Sequence, residues 1–333
     1  MKLLKYYNRV KFDNTLNRPK MLTWDITNRC NLSCKHCLNC SGDSLIHDFS
    51  NELNRTYQIS LAHQIAELKP DQCCLCGGET LLNPNIFDII KIISSNGVMV
   101  NMVTNGLLIT DDIAKKLKFS GISNVQVSID GLGYQHDIFR NKIGSFNRSI
   151  EAIEILKSNK INVMISCCPN KLNFGNIDTY IEYMHTVLNI NNIRMMPLLP
   201  LGRAKKECNN LFLNNWENFE LVQNLIRLRE KYPELNLEWG DPLEHLFLVL
   251  FHKRKYPIVM SIASNGDLTL TPYIPIVLGN IKEMSLLDIW QGGYNKVWAN
   301  QEILSIIKKV NSVYDLEQFK EKIYLERDTW INT

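Results

Sequence analysis

Long apolar runs are missing from this chain of 333 residues. No stretch approaches the roughly 18 uninterrupted apolar residues that a membrane-spanning helix needs. The first twenty residues mix charged and aromatic side chains and lack the continuous apolar core of a secretory signal. We therefore expect a cytoplasmic protein that binds no membrane.

An excess of charge of one sign is also missing. Lys and Arg total 37 and Asp and Glu total 34, which gives a net charge of +3, and no block of like charge occurs. Nucleic-acid binding usually depends on such an excess, so we expect no nucleic-acid partner. Hydrophobic residues make up 45% of the chain, which is enough for a packed core and excludes a largely disordered polymer.

Cysteine is absent from the last third of the chain. All ten cysteines lie at or before Cys208, in the groups 30/34/37/40, 73/74/76, 167/168 and 208. Thiols in the cytoplasm are kept reduced, so clustered cysteines there bind metal more often than they form disulfides. Cysteine-dependent chemistry is therefore expected in the first two thirds of the chain.

Short β-rich apolar runs alternate with longer runs of helical periodicity, a pattern typical of parallel strands joined by crossover helices. The pattern predicts an α/β fold of six β/α units, in which strand ends and the loops after them form the site. The predicted strands are 22–26, 71–75, 98–103, 122–129, 162–167 and 191–197. The predicted helices are 60–69, 85–95, 111–118, 145–158 and 176–188.

The alternation fades after about residue 203. A helix is predicted over 214–231, and Asn265-Gly266 predicts a tight hairpin between two short strands. We therefore predict three parts: an N-terminal segment (1–20), the α/β domain (21–205), and a smaller C-terminal module with a helical tail (206–333).

Three cysteines follow the first predicted strand on one short loop, at Cys30, Cys34 and Cys37. Thiolates bind iron-sulfur clusters, and a four-iron cluster with three protein ligands has one open iron for another ligand. The alternative is a zinc site with Cys40 as the fourth thiolate, because the spacing of Cys37 and Cys40 suits zinc.

The C-x3-C-x2-C loop resembles that of the radical S-adenosylmethionine (SAM) superfamily. The resemblance implies a partial (β/α)6 TIM-like barrel and a 4Fe-4S cluster on Cys30, Cys34 and Cys37. SAM would bind the open iron and be cleaved reductively to a 5'-deoxyadenosyl radical, which makes these cysteines the catalytic and metal-binding residues. A low-potential electron donor such as flavodoxin or ferredoxin is implied as well. His36 would pack near the adenine rather than bind metal.

Further SAM contacts are implied by three segments that follow predicted strands. Gly77, Gly78 and Glu79 resemble the family's GGEP segment, with Thr80 in place of proline, and Glu79 would meet the amino group of SAM. Asn105, which follows the third strand, is a further implied contact with SAM. Ser128 and Asp130 follow the fourth and would approach the ribose and carboxylate, although either could instead cap a turn.

Other residues have two interpretations each. Arg140 could clamp a carboxylate or cap a helix end. Cys73, Cys74 and Cys76 fall in a buried strand, where cysteine acts as a small apolar residue. Cys167 and Cys168 are expected to face the cavity. They could fill space there as small apolar residues, or one of them could donate a hydrogen atom to the substrate. Cys40 and Cys208 have no predicted role.

The hairpin and the later segments GNI and SLLDIW resemble the SPASM-type extension of peptide maturases, without its cluster cysteines. We therefore predict a single cluster. Residues 1–20 are too few for a leader-binding domain, so a peptide leader would need a separate binding protein.

Three functions are compatible with these features. The first is modification of a ribosomally made peptide. The second is radical SAM chemistry on a small molecule, such as a tetrapyrrole side chain, since similar WDITNRCNL openings occur in those enzymes. The third is a non-catalytic metal-binding protein, which would not need Gly77, Gly78 and Glu79.

Overall fold

The computed structural model describes residues 16–252, 257–319 and 321–325. Most of the predicted segment 1–20 and the end of the predicted tail lie outside these residues. Within them, eleven strands form one sheet in the order β11-β10-β9-β8-β1-β2-β3-β4-β5-β6-β7. The strands are β1 Met21–Asp25, β2 Gln72–Cys76, β3 Met99–Thr104, β4 Asn124–Ser128, β5 Asn162–Cys167, β6 Asn192–Met195, β7 Asn236–Trp239, β8 Val259–Ile262, β9 Asp267–Thr269, β10 Ile276–Asn280 and β11 Ile323–Tyr324.

Helices connect these strands as the alternation predicts. The α-helices are α1 Arg55–Leu68, α2 Ile86–Ser94, α3 Asp111–Ser120, α4 Tyr134–Phe139, α5 Ser145–Ser158, α6 Ile177–Glu182, α7 Ala204–Glu207, α8 Asn215–Lys231, α9 Glu244–His252, α10 Leu286–Gln291 and α11 Gln301–Ile307. No helix in the described ranges is both long and apolar enough to cross a bilayer.

Most predicted boundaries hold within a few residues, and two helices differ from their predicted bounds. The helix predicted to begin at residue 60 begins at Arg55, because the side chain of Asn54 accepts a hydrogen bond from the amide of Tyr57 at 3.1 Å. The helix predicted over 176–188 is α-helical only to Glu182 and then widens into a π-helical turn. The α/β alternation is confirmed.

Strands β1 to β7 run parallel in sequence order, and β8 pairs in parallel with β1. The predicted boundary near residue 205 therefore does not interrupt the sheet. The predicted hairpin forms β8 and β9, with Gly266 at a φ of 93° in the turn. The indole Nε1 of Trp290 also donates to the carbonyl of Asn17 at 2.9 Å, so the C-terminal part packs at the start of β1.

The two faces of the sheet differ in chemistry. Side chains that point toward the helices are apolar and buried, such as Leu22 and Trp24 on β1. Those that alternate with them point inward and are mostly polar, such as Thr23 and Asp25. Because successive side chains of a strand point to opposite faces, one alternating pattern forms both the core and a polar interior.

Replacing Met260 by Ala tests whether β8 unfolds together with the other strands. Met260 is fully buried next to β1, so its loss is expected to cost about 3 kcal/mol of stability. We expect one cooperative denaturation transition, shifted as a whole. The matched variant Met99→Ala removes a half-exposed side chain and is expected to shift it little. Separate melting of the C-terminal part would contradict this prediction.

Candidate functional site

The cysteine loop, residues 26–42, lies across the carboxyl ends of the central strands. Cys30, Cys34 and Cys37 all line one cavity of about 570 Å³. The loop is closed by its own backbone, because the amide of Gly42 donates to the carbonyl of Asn28 at 2.8 Å. The three predicted ligands therefore share one cavity.

Cys40 is not among the residues that line this cavity. In the described residues, no three Cys, His, Asp or Glu side chains converge closely enough to hold one metal ion. A zinc site needs four ligands within about 2.3 Å of a single ion, and zinc with Cys40 as the fourth thiolate stays the alternative prediction for these cysteines. A four-iron cluster would use the thiols of Cys30, Cys34 and Cys37 and one further ligand.

Two residues after β6 hold the loop from one side. The guanidinium of Arg203 donates to the carbonyl of Cys34 at 2.8 Å and to that of Ser41 at 3.1 Å, and its amide donates to the carbonyl of Cys37 at 3.0 Å. Gly202 has a φ of 56°, and a Cβ there would come within 2.3 Å of two loop carbonyls. Sequence reasoning gave these residues no role, although the pair follows a predicted strand.

The predicted Gly77 and Gly78 hold the loop from the other side. The amide of Gly78 donates to the carbonyl of Thr27 at 2.7 Å, and the next amide donates to that of Arg29 at 2.8 Å. A Cβ on Gly78 would come within 2.1 Å of the same Arg29 carbonyl. These glycines therefore let β2 approach the cysteine loop, a role that the strand-end pattern did not predict. Both also line the cavity.

Glu79 lies behind the cavity rather than in its lining. Its buried carboxylate accepts from the hydroxyl of Thr104 at 2.8 Å and from the amide of Asn105 at 2.9 Å. Burial raises the pKa of Glu79, and these donors oppose the rise. The predicted contact of Glu79 with SAM stays a prediction, and what the structure shows is a link between β2 and the turn after β3. The side chain of Asn105 does line the cavity and donates to Asn31.

Asp130 and Arg140 form a buried ion pair beside Cys34. The Nε of Arg140 lies 2.6 Å from Oδ2 of Asp130, and its Nη1 lies 3.8 Å from Sγ of Cys34. The other carboxylate oxygen accepts from the amide of Cys168 at 2.8 Å. Burial favours the neutral acid, but the Arg140 guanidinium outweighs it and holds the pKa of Asp130 below its usual value. The predicted ribose contact of Asp130 remains a prediction.

His36 and Ser128 are two further predicted residues of the site. The ring of His36 stacks on Phe139 at 4.1 Å between centroids, and burial lowers its pKa to about 3, so the ring is neutral. Its Nδ1 and the hydroxyl of Ser41 are buried without a partner among the described residues. Both residues line the cavity, so their polar atoms can hydrogen-bond to a bound polar ligand. Ser128 also lines the cavity and accepts from Ser166.

The remaining cysteines divide by the direction of their side chains. Cys73 points to the helices and belongs to the apolar core, as predicted for that strand. Cys74 and Cys76 instead point inward with their sulfur atoms 3.4 Å apart, and Cys76 lines the cavity. The prediction that all three are apolar filling is therefore wrong for Cys76, because alternation along the strand turns it to the interior. Cys167 and Cys168 also line the cavity.

The C-terminal part of the chain and the segment after β6 supply further lining residues. Ser261, Ile262, Thr269 and Tyr273 come from β8, β9 and the loop after them. The segment 196–199 after β6 adds apolar side chains. The cavity is therefore formed by the predicted α/β domain and the predicted C-terminal module together.

Comparison with known proteins gives the same assignment as the residues. The family model described as the radical SAM superfamily matches residues 24–184. The AdoMet-dependent heme synthase of Methanosarcina barkeri is 26% identical over 83% of this chain and 83% of its own length. The sporulation killing factor maturation protein SkfB of Bacillus subtilis is 30% identical over 81% of this chain, which spans 64% of that protein.

A solved structure shares the fold. SuiB of Streptococcus suis bound to S-adenosylmethionine has a TM-score of 0.69 over 100% of this chain and 80% of its own, at 16% identity. It has also been solved with its precursor peptide SuiA. At this identity the similarity establishes the architecture, and the partial barrel implied by the family resemblance is confirmed.

Replacing Arg203 by Ala tests the hold on the cysteine loop. The variant loses the guanidinium donors to two loop carbonyls, which is expected to loosen the loop by about 1 to 3 kcal/mol. We expect reconstituted protein to lose iron to a chelator faster, followed by visible absorbance. Arg55→Ala, which removes an exposed arginine, serves as the control. Equal iron retention in all three proteins would argue against this role.

Replacing Asp25 by Asn tests the polarity of the interior. Burial raises the pKa of Asp25 from 3.8 to about 6, against a hydrogen bond from Asn39. The protonated carboxyl therefore favours the fold at low pH, and this stability is lost as pH rises through 6. The Asn variant should match wild type near pH 4 and be more stable by about 2 kcal/mol at pH 7, in urea denaturation. A difference independent of pH would contradict the assignment.

Proposed function

Because this chain belongs to the radical SAM superfamily of enzymes, we propose that it modifies a ribosomally made peptide by abstracting a hydrogen atom. The observation that supports this most directly is the shared cavity. The three thiols, the glycines Gly77 and Gly78, and apolar side chains from two distant segments all line one cavity.

The residues present fit a 4Fe-4S cluster and SAM. Cys30, Cys34 and Cys37 supply three thiols and leave room for a fourth, non-protein ligand. The partnerless Nδ1 of His36 and hydroxyl of Ser41 offer polar atoms to a bound ligand. Bound together, the cluster and SAM supply a carbon radical through one-electron cleavage of the sulfonium.

Burial and one nearby positive charge act in opposite directions on the cysteine thiols. Burial raises the pKa of Cys34 and raises that of Cys30 to about 11, so both thiols keep their protons until metal displaces them. Arg140 lies next to Cys34 and opposes the rise. Since Asp130 pairs with Arg140, the positive charge is fixed in position although it is buried.

The apolar part of the cavity supports a peptide substrate. Pro197, Leu198 and Leu199 after β6, together with Pro272 and Pro275, give part of the lining an apolar surface. Such apolar surface can receive the side chain of a peptide residue beside the cluster and SAM. The maturation role in the name of SkfB and the peptide complex of SuiB are consistent with this substrate.

A tetrapyrrole is the second candidate substrate. It is favoured by the heme synthase of Methanosarcina barkeri, which matches this chain over most of both lengths. Either substrate would need a low-potential electron donor such as flavodoxin or ferredoxin. A peptide would be presented with its leader on a separate binding protein, and we propose that the reaction takes place in the cytoplasm.

Cluster-dependent SAM cleavage tests the reaction type. The protein is reconstituted anaerobically with iron and sulfide and then given SAM and dithionite. We expect four irons per chain, as a 4Fe-4S cluster requires, and 5'-deoxyadenosine, with both lost in Cys34→Ala. Cys208→Ala, which removes a buried thiol that is not itself part of the lining, should retain both. Absence of 5'-deoxyadenosine from fully loaded wild type would refute the proposal.

A competition between substrates tests the substrate class. Loaded enzyme is incubated with Fe-coproporphyrin III or with short peptides encoded beside its gene, and each product is analysed by mass spectrometry. A mass change in a peptide that depends on SAM, or the gain of one carbon-bound deuterium when the reaction is run in D2O, supports peptide modification. Loss of carboxyl groups from the porphyrin, with every peptide unchanged, would establish the second candidate instead.

A further inference from the structure

Two thiols on β2 face the interior together. Cys74 and Cys76 alternate with the core residues Cys73 and Leu75, so both point inward, with their sulfur atoms 3.4 Å apart. Cys76 lines the cavity and directly precedes Gly77, whereas Cys74 lies outside that lining. The structure therefore places two thiols side by side, and one of them, Cys76, borders the cavity.

We infer that Cys76 is a catalytic hydrogen-atom donor, which returns a hydrogen atom to a carbon radical formed in this cavity. The inference rests on the proposed function, since that function supplies the radical. It narrows the reaction class: the substrate loses one hydrogen atom and regains another, so its composition is unchanged. Inversion of a C–H centre in a peptide is the outcome that such a donor serves.

The step balances with groups already named. The S–H bond of Cys76 breaks homolytically, a C–H bond forms on the substrate, and the sulfur keeps one unpaired electron. One electron from the low-potential donor and one proton then restore the thiol. Because an S–H bond is weaker than most C–H bonds, transfer toward a carbon radical is downhill. The thiol of Cys74 lies close enough to exchange hydrogen with the sulfur radical.

The neighbouring strand offers the proton. Asp25 on β1 is in register with Cys76, so the two side chains stand side by side on the interior face. Asp25 also lines the cavity. Its raised pKa, near 6, lets it hold a proton in part of the molecules at neutral pH. This carboxyl is therefore placed to reprotonate the sulfur.

The other thiols of the cavity are less suited to the task. Cys168 packs among Phe139, Leu198 and Cys208 in a small apolar cluster. Cys167 is almost fully buried, with its sulfur near the amide nitrogen of Asn173. The contact with Cys74, together with burial, holds the pKa of Cys76 well above its usual value. Cys76 therefore keeps the hydrogen that a donor must carry.

Thiol mapping tests the pair without any turnover. Reconstituted protein, whose cluster thiolates are engaged, is treated with phenylarsine oxide, an arsenical that bridges two nearby thiols. We expect one arsenical on the peptide that contains Cys74 and Cys76, lost in Cys76→Ser and in Cys74→Ser. Failure of the wild-type pair to bind the arsenical would show that the two sulfur atoms are not jointly accessible and would overturn the pairing.

Deuterium transfer tests the donor itself. Loaded enzyme in D2O is given SAM and dithionite without substrate, so that the nascent carbon radical takes hydrogen from the nearest donor. Exchanged S–D at Cys76 should place deuterium in the 5'-deoxyadenosine. We expect the deuterium content per molecule formed to fall several-fold in Cys76→Ser, because the O–H bond of serine is too strong to donate.

The matched control is Cys73→Ala, on the same strand but facing the helices, and it should keep the deuterium content of wild type. Unlabelled 5'-deoxyadenosine from wild type, or equal labelling in Cys76→Ser, would overturn the inference and leave SAM cleavage intact. Failure to form any 5'-deoxyadenosine would instead refute the proposed function, so the two failures are distinguishable.

Discussion

The close contact between the cysteine loop and two strand ends is the constraint on which the site depends. Gly78 on one side and Gly202 with Arg203 on the other meet the loop through backbone carbonyls, at distances that leave no space for a Cβ. A loop that carries three metal ligands must be rigid before the metal binds, or its ordering opposes binding. Here the strands supply that rigidity.

Electrostatics at the site follows from burial. Arg140 is a cation beside the sulfur of Cys34 and is retained in the interior by Asp130, which in turn accepts a hydrogen bond from the amide of Cys168. Removing either partner would leave a buried charge without compensation. Neutral His36 stacks beside this pair without adding a second charge. One positive charge is thereby held next to thiols that become thiolates when they bind iron.

The interior of the barrel differs from that of a filled barrel because its inward side chains are polar. Thr23, Asp25 and Cys76 point into the same space as Ser128 and Ser261, whereas the alternating residues of the same strands form the core under the helices. A single period-two pattern thus produces stability on one face and chemistry on the other. It also explains why Cys73 and Cys76, three residues apart, differ so completely in surroundings.

The sequence by itself determined the cluster loop, the order of β/α units and the strand-end positions of Gly77, Gly78 and Ser128, because spacing and periodicity are local properties of a chain. Only the tertiary structure decided that β8 pairs with β1, that Arg203 binds carbonyls some 160 residues earlier, and that Glu79 faces a turn rather than the cavity. These contacts join residues distant in the chain, and their partners depend on how strands are ordered and which way each side chain points. No local pattern carries that information.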